Sequence, residues 1–243
     1  MNVELDAPRT HIHTFIFPHM AERHKTLLGT VTVGPDGKTK KSFHLDRAHL
    51  AARGAAFQDC AVRELQVFSL LRMRPHRNVM SMLSVRAVDE TTVEIVMPTM
   101  GGDLFDVCNT RGGYATERRV AYNIMEQMAA GVAHLHGLGI AHGDLSLENF
   151  LITQAHENGT HDVHVALTDF ALATPAHGRV QLPSVDVGWV AAPPFRRHLE
   201  RLDACASPRG KYGYQAPEVF AAKPDRSFDP LAADIFSLGV NMC

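Results

Sequence analysis

The sequence predicts an α+β fold with two lobes, a small antiparallel β lobe that carries one helix and a larger, mainly helical lobe that follows it. The first third of the chain alternates β-branched and polar residues between turn signals, which is typical of strands with one buried face. The part that follows repeats apolar residues every three or four positions, which indicates amphipathic helices. A chain of 243 residues is long enough for two small lobes around a shared cleft.

The small lobe is predicted to contain four strands and one helix. A turn at 34–37, with the sequence GPDG, joins the first two strands into a hairpin. The segment 55–73 places apolar residues at intervals of three and four and is predicted to be an amphipathic helix. The predicted strands are 29–33, 38–45, 81–88 and 91–97.

The larger lobe is predicted from helical periodicity, with two short strands near its middle that flank a polar turn. The stretch 171–211 is rich in proline, glycine and alanine without a period, so it is predicted to be a long loop. The predicted helices are 101–107, 118–138 and 231–242, and the predicted strands are 149–153 and 163–168.

Composition and charge argue against several functional classes. The formal net charge is −2, so no overall electrostatic attraction to nucleic acid or to a membrane surface is expected. The four cysteines form no CxxC pair, which argues against a zinc site or a disulfide framework and favours a reducing compartment. No signal-peptide pattern is visible, and no apolar run approaches the roughly 18 residues that span a bilayer. The expectation is a protein of the cytoplasm or nucleus without a nucleic-acid partner or a membrane span.

Four segments carry the residues on which a functional prediction depends. They are IAHGDLSLEN at 140–149, LTDFALA at 167–173, GKYGYQAPE at 210–218 and DIFSLG at 234–239. In this order they resemble the catalytic loop, the magnesium loop, the end of the activation segment and the following helix of eukaryotic protein kinases, closer to the Ser/Thr than to the Tyr group. The resemblance implies a bilobal protein-kinase-like fold.

The resemblance covers about residue 20 to the C-terminus and implies one kinase-like domain after an N-terminal extension. The larger lobe is expected to lack the last helices of the family. The implied boundaries are 1–19 for the extension and 20–243 for the domain, with the small lobe at about 20–97, the hinge at 98–102 and the larger lobe at about 103–243.

Three polar residues match the chemistry of phosphoryl transfer, which needs a base for the attacking hydroxyl and metal ions that neutralise the phosphates. Asp144 lies on a tight loop between a helix and a strand, where a carboxylate can face a cleft. A hairpin of the two predicted strands would place Asn149 and Asp169 side by side, as two oxygen ligands for one Mg²⁺. The resemblance implies that Asp144 is the catalytic base and that Asn149 and Asp169 hold the metal; the alternative is that all three are polar residues that cap loops.

The resemblance also implies a nucleotide site between the lobes. Glu64 matches the helix glutamate that pairs with a strand lysine, and Met97 matches the gatekeeper. The Pro98 carbonyl and the Met100 N–H would face adenine, and Asp103 would lie near the ribose. The alternative for this stretch is a plain connection from strand to helix. The residues expected to bind the nucleotide are Gly29, Val31, Ser42, His44, Glu64, Met97, Pro98, Met100, Asp103 and Leu151.

The small lobe departs from the family pattern in two places. Of the glycine-rich GxGxxGxV loop, the segment 24–31, HKTLLGTV, keeps only the counterparts of its last glycine and valine. The return strand reads KSFH at 41–44, and the best alignment places Ser42 at the small adenine-facing position and His44 at the lysine position, opposite Glu64. The alternative is a register shifted by three residues, which would use Lys41 instead, close to the turn.

The larger lobe departs from the pattern in its charges. Gly143 replaces the arginine of the catalytic loop, and Ser146 stands where Ser/Thr kinases carry a lysine. Lys211 occupies a threonine position shortly before the APE motif. We therefore expect the Lys211 ammonium to return through space to the place beside Ser146 and Asp144 and to act in catalysis. The alternative is a solvated loop lysine.

The resemblance implies an ATP-dependent protein kinase that transfers the γ-phosphoryl group of Mg-ATP to a Ser/Thr hydroxyl of a protein. The expected cofactors are ATP and Mg²⁺, and the expected partners are ATP and a protein substrate. The alternative is a pseudokinase, a binding or scaffolding module without turnover, which the altered glycine-rich loop and strand lysine favour.

Overall fold

The computed structural model describes residues 24–25, 29–44, 55–89, 92–110, 118–157, 160–176, 210–221 and 228–243. The predicted extension 1–19 and most of the predicted loop 171–211 lie outside these ranges. The strands are β1 His24–Lys25, β2 Gly29–Val33, β3 Lys38–His44, β4 Ser84–Ala87, β5 Thr92–Pro98, β6 Gly102–Asp103, β7 Ile140–Ala141, β8 Phe150–Glu157, β9 Thr160–Leu167 and β10 Thr174–Pro175. The helices are α1 Ala55–Met73, α2 Leu104–Thr110, α3 Arg118–Gly137, α4 Pro217–Phe220 and α5 Pro230–Asn241, with one 3-10 helix at Leu147–Asn149.

The small lobe is an antiparallel sheet in the order β1-β2-β3-β5-β4 with α1 beside it, as the alternating pattern predicts. The GPDG turn closes the β2–β3 hairpin through a 2.8 Å bond from the Gly34 N–H to the Lys38 carbonyl. Gly37 there has φ of 68°, a left-handed conformation that glycine adopts without a steric penalty.

Burial of Phe43 determines which face of β3 turns inward. Its side chain is fully buried, between β2 and β5, where it pairs with Gly29 and Val93. Because successive side chains of a strand point to opposite faces, Lys41 shares the buried face with Phe43, and Ser42 takes the other. Lys41 is accordingly buried, whereas Ser42 is only half-buried.

In the larger lobe, α3 packs against the β8–β9 hairpin. Gln127 on α3 accepts the Val165 N–H at 2.9 Å and donates to the Val163 carbonyl at 2.8 Å, so the helix continues the backbone ladder of β9. Gly131 allows the helix to approach the segment after α1, because a Cβ there would lie 2.4 Å from the Asn78 carbonyl oxygen.

The sequence prediction of this hairpin was too short. It placed a polar turn between the two strands, but β8 runs to Glu157 and β9 begins at Thr160. Polar composition hid these residues, because a strand pair is held by backbone hydrogen bonds that any residue except proline can supply. The predicted helix at 101–107 also needed correction, since two residues of β6 precede α2.

One hydrophobic core extends through both lobes. The Phe68 ring on α1 meets the Phe170 ring edge to face, with ring centroids 5.0 Å apart. Phe170 also meets His142 of the loop after β7, at 5.7 Å. This contact places the loop after β9 between α1 and the loop after β7. None of the helices within the described ranges has the length and apolar composition that a membrane crossing requires.

Candidate functional site

A buried cation joins the two lobes at the cleft. The Lys41 ammonium lies 2.7 Å from Oε1 and 2.8 Å from Oε2 of Glu64 on α1. It also lies 3.2 Å from Oδ1 of Asp169, which follows β9. The Lys41 side chain is 7% exposed and that of Glu64 is 1% exposed. A fixed positive charge is thus held between the small lobe and the first residues of the LTDFALA segment.

The prediction that His44 faces Glu64 was wrong, because Lys41 occupies that position. The alignment treated Lys41 as too close to the turn, yet β3 starts immediately after Gly37 and Lys41 lies well inside it, opposite Val31 and Ile95. Placing Ser42 on the inner face would have turned Phe43 outward, and the loss of its burial outweighs any alignment preference.

The prediction that Ser42 occupies the small adenine-facing position was wrong for the same reason. The residue two positions before the lysine, on the inner face, is Thr39. Thr39 pairs with Met97 of β5, and its Oγ1 lies 3.0 Å from Oγ1 of Thr99, so the two hydroxyls share a hydrogen bond between β3 and the hinge. The sequence did contain a signal for this register, because a large apolar side chain such as Phe43 is expected to face the core.

The electrostatics of the pair come from two opposed influences. Burial alone would lower the pKa of Lys41, but the negative charges of Glu64 and Asp169 outweigh it and raise that pKa. Burial raises the pKa of Glu64, against the effect of Lys41. The first shift favours the ammonium, whereas the second favours a neutral carboxyl at the same contact. Because both oxygens of Glu64 lie within hydrogen-bonding distance of one nitrogen, the geometry supports the ionised pair.

Asp169 combines a strained backbone with a favoured negative charge. Its φ is 64°, which is uncommon for a residue other than glycine. Burial acts to raise the pKa of its carboxyl, but the nearby Lys41 ammonium outweighs this and lowers the pKa below its ordinary value. Its side chain is 39% exposed, so an ionised carboxylate opens onto the cleft.

Asp144 lies in the loop between β7 and the 3-10 helix. Its Oδ1 accepts the Lys211 backbone N–H at 3.0 Å, and its Oδ2 accepts from Nδ2 of Asn149 at 3.3 Å. Its own N–H donates to Nδ1 of His142 at 3.2 Å, so the His142 proton is on Nε2, which donates to the Thr168 carbonyl at 2.9 Å. Burial raises the pKa of the Asp144 carboxyl, although the positive charge of Lys211 opposes the shift.

Asn149 and Asp169 are the residues that would hold a divalent cation. The Asn149 amide nitrogen donates to the Asp144 carbonyl at 2.7 Å, which leaves its carboxamide oxygen as the atom that could bind a cation. The Thr168 N–H donates to the Asn149 carbonyl at 2.9 Å, so the backbone holds Asn149 next to the residue before Asp169. No group of three His, Cys, Asp or Glu that could hold a metal occurs in the described ranges. Mg²⁺ does not need one, because it commonly takes one or two protein carboxylates and completes its shell with phosphates and water.

Asp234, at the start of the DIFSLG segment, binds the backbone of the loop that contains Asp144. Its carboxylate accepts the Gly143 N–H at 2.9 Å, the His142 N–H at 2.6 Å and a bond from Nε2 of His136 at 3.0 Å. Gly143 has φ of 78°, and a Cβ there would lie 2.6 Å from the Leu172 carbonyl oxygen. The arginine of the family pattern therefore does not fit this backbone. The sequence marked this segment as part of a motif but did not indicate what Asp234 contacts.

The structure places Lys211 beside Ser146. Its ammonium lies 3.2 Å from Oγ of Ser146 and 2.8 Å from Oε1 of Glu148. The Lys211 side chain is 43% exposed, so the ammonium is partly accessible to solvent. Burial works to raise the pKa of Glu148, but the bond and charge of Lys211 help to lower it below its ordinary value. The predicted return of the ammonium to Ser146 is thus observed, and its role in catalysis stays a prediction.

The predicted hinge residues connect β5 to α2. Met97 and Met100 are buried, and Pro98 ends β5 opposite Lys38. Next to them, the Gly101 N–H donates to the Ile152 carbonyl at 2.9 Å, which attaches the hinge to β8. The hinge therefore lies between the two sheets, where the resemblance requires it. Its contacts with adenine remain a prediction.

Asp103 and Leu151 lie opposite each other in the β6–β8 pair. The Asp103 carboxylate accepts the Asp106 N–H at 2.9 Å and so caps the first turn of α2. Burial raises the pKa of Asp103. Its predicted contact with ribose stays a prediction, because the structure shows it in a capping role.

Gly29 and Val31 lie on β2, which pairs with β1 as the glycine-rich hairpin of the resemblance would. His24 is opposite Val31 and Lys25 is opposite Thr30. The residues of the hairpin tip, 26–28, lie outside the described ranges. The expected approach of backbone N–H groups to phosphate therefore remains a prediction.

Comparison with known proteins agrees with this geometry. A sequence model of the protein kinase domain matches residues 28–243. The chain is 35% identical over 171 residues to human serine/threonine-protein kinase H1, covering 70% of this chain and 33% of the relative. It is 30% identical over 179 residues to mouse testis-specific serine/threonine-protein kinase 3, covering 73% and 53%. It is 29% identical over 203 residues to CBL-interacting protein kinase 22 of rice, covering 84% and 39%. The chain thus spans from about a third to about half of the length of these relatives.

Proposed function

Because this chain belongs to the protein kinase family, we propose that it transfers the γ-phosphoryl group of ATP to a serine or threonine hydroxyl of a protein. The single observation that carries the proposal is the contact of the Lys41 ammonium with both Glu64 and Asp169. Without a lysine in this place, the site would lack a fixed cation for the phosphates, and that lack would favour a module without turnover.

The chain's own residues account for binding and for the proton. Lys41 would hold nonreacting phosphate oxygens of ATP, since an ammonium with two carboxylate partners is fixed in position. Asp144 would accept the proton of the substrate hydroxyl. The hydroxyl oxygen would bond to the γ-phosphorus while the bond between the γ-phosphorus and the β–γ bridging oxygen breaks. Mg²⁺, when bound, would neutralise phosphate charge, and Asn149 and Asp169 are the residues that would hold it.

The raised pKa of Asp144 suits this role. Burial makes the carboxylate a stronger base than an exposed aspartate, because the charged form loses solvation. The Lys211 N–H and the Asn149 amide hold its two oxygens in place. Proton transfer then needs only that the substrate hydroxyl approach Asp144 within hydrogen-bonding distance.

Lys211 supports the proposal through a relocated charge. Ser/Thr kinases place a lysine at the Ser146 position, and here the Lys211 ammonium, from the segment before α4, reaches the Ser146 hydroxyl. A cation near the transferring phosphoryl group stabilises the charge that develops there. We propose that Lys211 supplies this stabilisation.

The second candidate is a pseudokinase, a binding or scaffolding module without turnover. The observation that favours it is the segment 24–31, which has lost two of the three glycines that bring backbone N–H groups to phosphate. Only the first candidate predicts transfer, and the second does not require that a nucleotide binds.

The test is a phosphoryl-transfer assay with radiolabelled ATP and a degenerate peptide library that contains serine and threonine, run beside a thermal melt with ATP, with and without Mg²⁺. We expect transfer, and a rise in Tm that requires the nucleotide. Lys41→Met should abolish the rise and reduce transfer. Because this change leaves the buried Glu64 carboxyl without its cation, Tm without nucleotide should fall as well.

The matched control is Lys40→Met, the same substitution at the neighbouring residue on the other face of β3. It should keep both the nucleotide-dependent rise in Tm and the transfer. A nucleotide-dependent rise without any transfer would establish the second candidate instead. If the unsubstituted chain shows neither the rise nor transfer, the first candidate is contradicted.

A further inference from the structure

Helix α5 contacts the backbone of the catalytic loop with two polar side chains. Asp234 accepts the N–H groups of His142 and Gly143, and Asn241 donates from Nδ2 to the Leu145 carbonyl at 3.1 Å. The two side chains are two helical turns apart and therefore lie on one face of α5. One binds backbone donors and the other a backbone acceptor, on the two sides of Asp144.

The orientation of the Asn241 amide follows from its partners. Its nitrogen also donates to the Ser237 carbonyl at 2.7 Å, so two carbonyl oxygens face the same atom. A flipped amide would place an oxygen against both of them. With the nitrogen inward, Oδ1 is buried and has no hydrogen-bond partner among the described residues.

A buried acceptor without a partner lowers stability, and an apolar side chain would avoid this cost. Apolar residues are close to this position, since Leu145, whose carbonyl accepts from Asn241, and Leu238, one turn earlier on α5, are both buried in the same core. The amide therefore gains nothing as a packing group. Its favourable contact with another element is the bond to Leu145, which lies between Asp144 and Ser146.

We propose that Asn241 is a positioning residue that, with Asp234, holds Asp144 and Ser146 at fixed places in the cleft. Asp234 anchors the loop before Asp144, and Asn241 anchors it directly after. Without the second anchor the loop could pivot about the first, and the Asp144 carboxylate would lose its alignment with Lys211 and Asn149. The effect on catalysis rests on the proposed function, whereas the effect on the loop does not.

The experiment measures amide hydrogen exchange of the full chain for peptides that cover 142–149, in the unsubstituted protein, Asn241→Leu and Asn241→Asp. Loss of one hydrogen bond should speed exchange there about five- to tenfold. The aspartate variant adds a pH signature. Its carboxylate repels the Leu145 carbonyl, but a protonated carboxyl can donate to it, so protection relative to the unsubstituted chain should recover as pH falls. The leucine variant should show no such recovery.

The matched control is Asn109→Leu, the same change at an exposed asparagine of α2, which should leave exchange at 142–149 unaltered. If the unsubstituted chain transfers phosphate, Asn241→Leu should lower kcat with little change in the KM for ATP. If it does not, the exchange result still stands, so failure of the two proposals can be told apart. Unchanged exchange in both folded Asn241 variants would overturn the inference. Should neither variant fold, NMR of the unsubstituted chain decides, and rapid solvent exchange of the Asn241 side-chain amide protons would overturn it.

Discussion

The loop that contains Asp144, in the larger lobe, and strand β3, in the small lobe, differ in how well the sequence predicts their site residues. In the loop, Asp144 and Asn149 lie within six consecutive residues, and the resemblance of that short segment to the protein kinase motif assigns their roles. On β3, the sequence offered Lys41 and His44 for one place, and the wrong one was preferred. A loop motif is read from its local spacing, whereas a strand residue depends on which face of the strand is buried, and that is decided by packing against other elements.

The largest expected effect is in the loop. Asp144→Asn should reduce phosphoryl transfer by about 10²–10⁴, the usual range for loss of a general base. Nucleotide binding, read from the ATP-dependent rise in Tm, should persist because Lys41 and Asp169 are unchanged. If transfer is measurable, its rate in the unsubstituted chain should rise with pH through the raised pKa of Asp144, since the base must be ionised. Asp36→Asn, in the exposed β2–β3 turn, is the control.

The same variant separates function from stability. The pKa of the Asp144 carboxyl is higher in the folded protein than in the unfolded chain. As pH rises above the unfolded-state pKa, this carboxyl therefore lowers the free energy of unfolding, because the folded protein disfavours its ionised form. Asp144→Asn should therefore not lower Tm at neutral pH. A marked fall in Tm there would show that the two bonds to the carboxylate outweigh the cost of its burial.

The next effect is in the small lobe and tests why Lys41 faces inward. Phe43→Ala should lower the free energy of unfolding by about 3–5 kcal/mol, as expected for removal of a fully buried aromatic side chain. The nucleotide-dependent rise in Tm should shrink with it, because the inner face of β3 is no longer held. Urea unfolding of this variant and of Phe105→Ala, an exposed phenylalanine on α2, gives the comparison. Equal losses in the two variants would contradict the role given to Phe43.

A smaller effect is expected from the relocated charge. Lys211→Thr should reduce transfer by about 10²–10³, by analogy with the loss of one donor to a developing oxyanion. The double change Ser146→Lys with Lys211→Thr restores the arrangement of the family and should recover much of the rate. A double-mutant cycle measures the coupling between the two positions. Undiminished transfer in Lys211→Thr would return Lys211 to the role of a surface lysine.

The smallest effect is expected at His44, which the sequence alignment places at the position of the strand lysine. His44→Lys should leave the nucleotide Kd unchanged, because Lys41 already occupies the place opposite Glu64. Isothermal titration with Mg-ATP checks this. A large gain in affinity would mean that the register of β3 permits a second cation at the phosphates.

The larger lobe shows how far sequence reasoning extends within one element. The spacing of Asp144 and Asn149 was enough to place them together, and the structure joins them by two hydrogen bonds. The same reasoning could not identify the side chains that hold the backbone of this loop in place. Asp234 and Asn241 are distant in sequence from the loop, and only the packing of α5 against it shows that their side chains contact its backbone.

The amino-acid sequence by itself determined the α+β class and the order of the longer elements, because these depend on hydrophobic periodicity. Its short loop motifs were enough to show the resemblance to the protein kinase family. Tertiary structure decided the rest. Burial of Phe43 turned Lys41 toward Glu64, the approach of the loop after β9 brought Asp169 to the same ammonium, and the fold carried Lys211 to Ser146. Each of these contacts joins residues far apart in the chain, and their distance is fixed only when the hydrophobic core between the elements is packed.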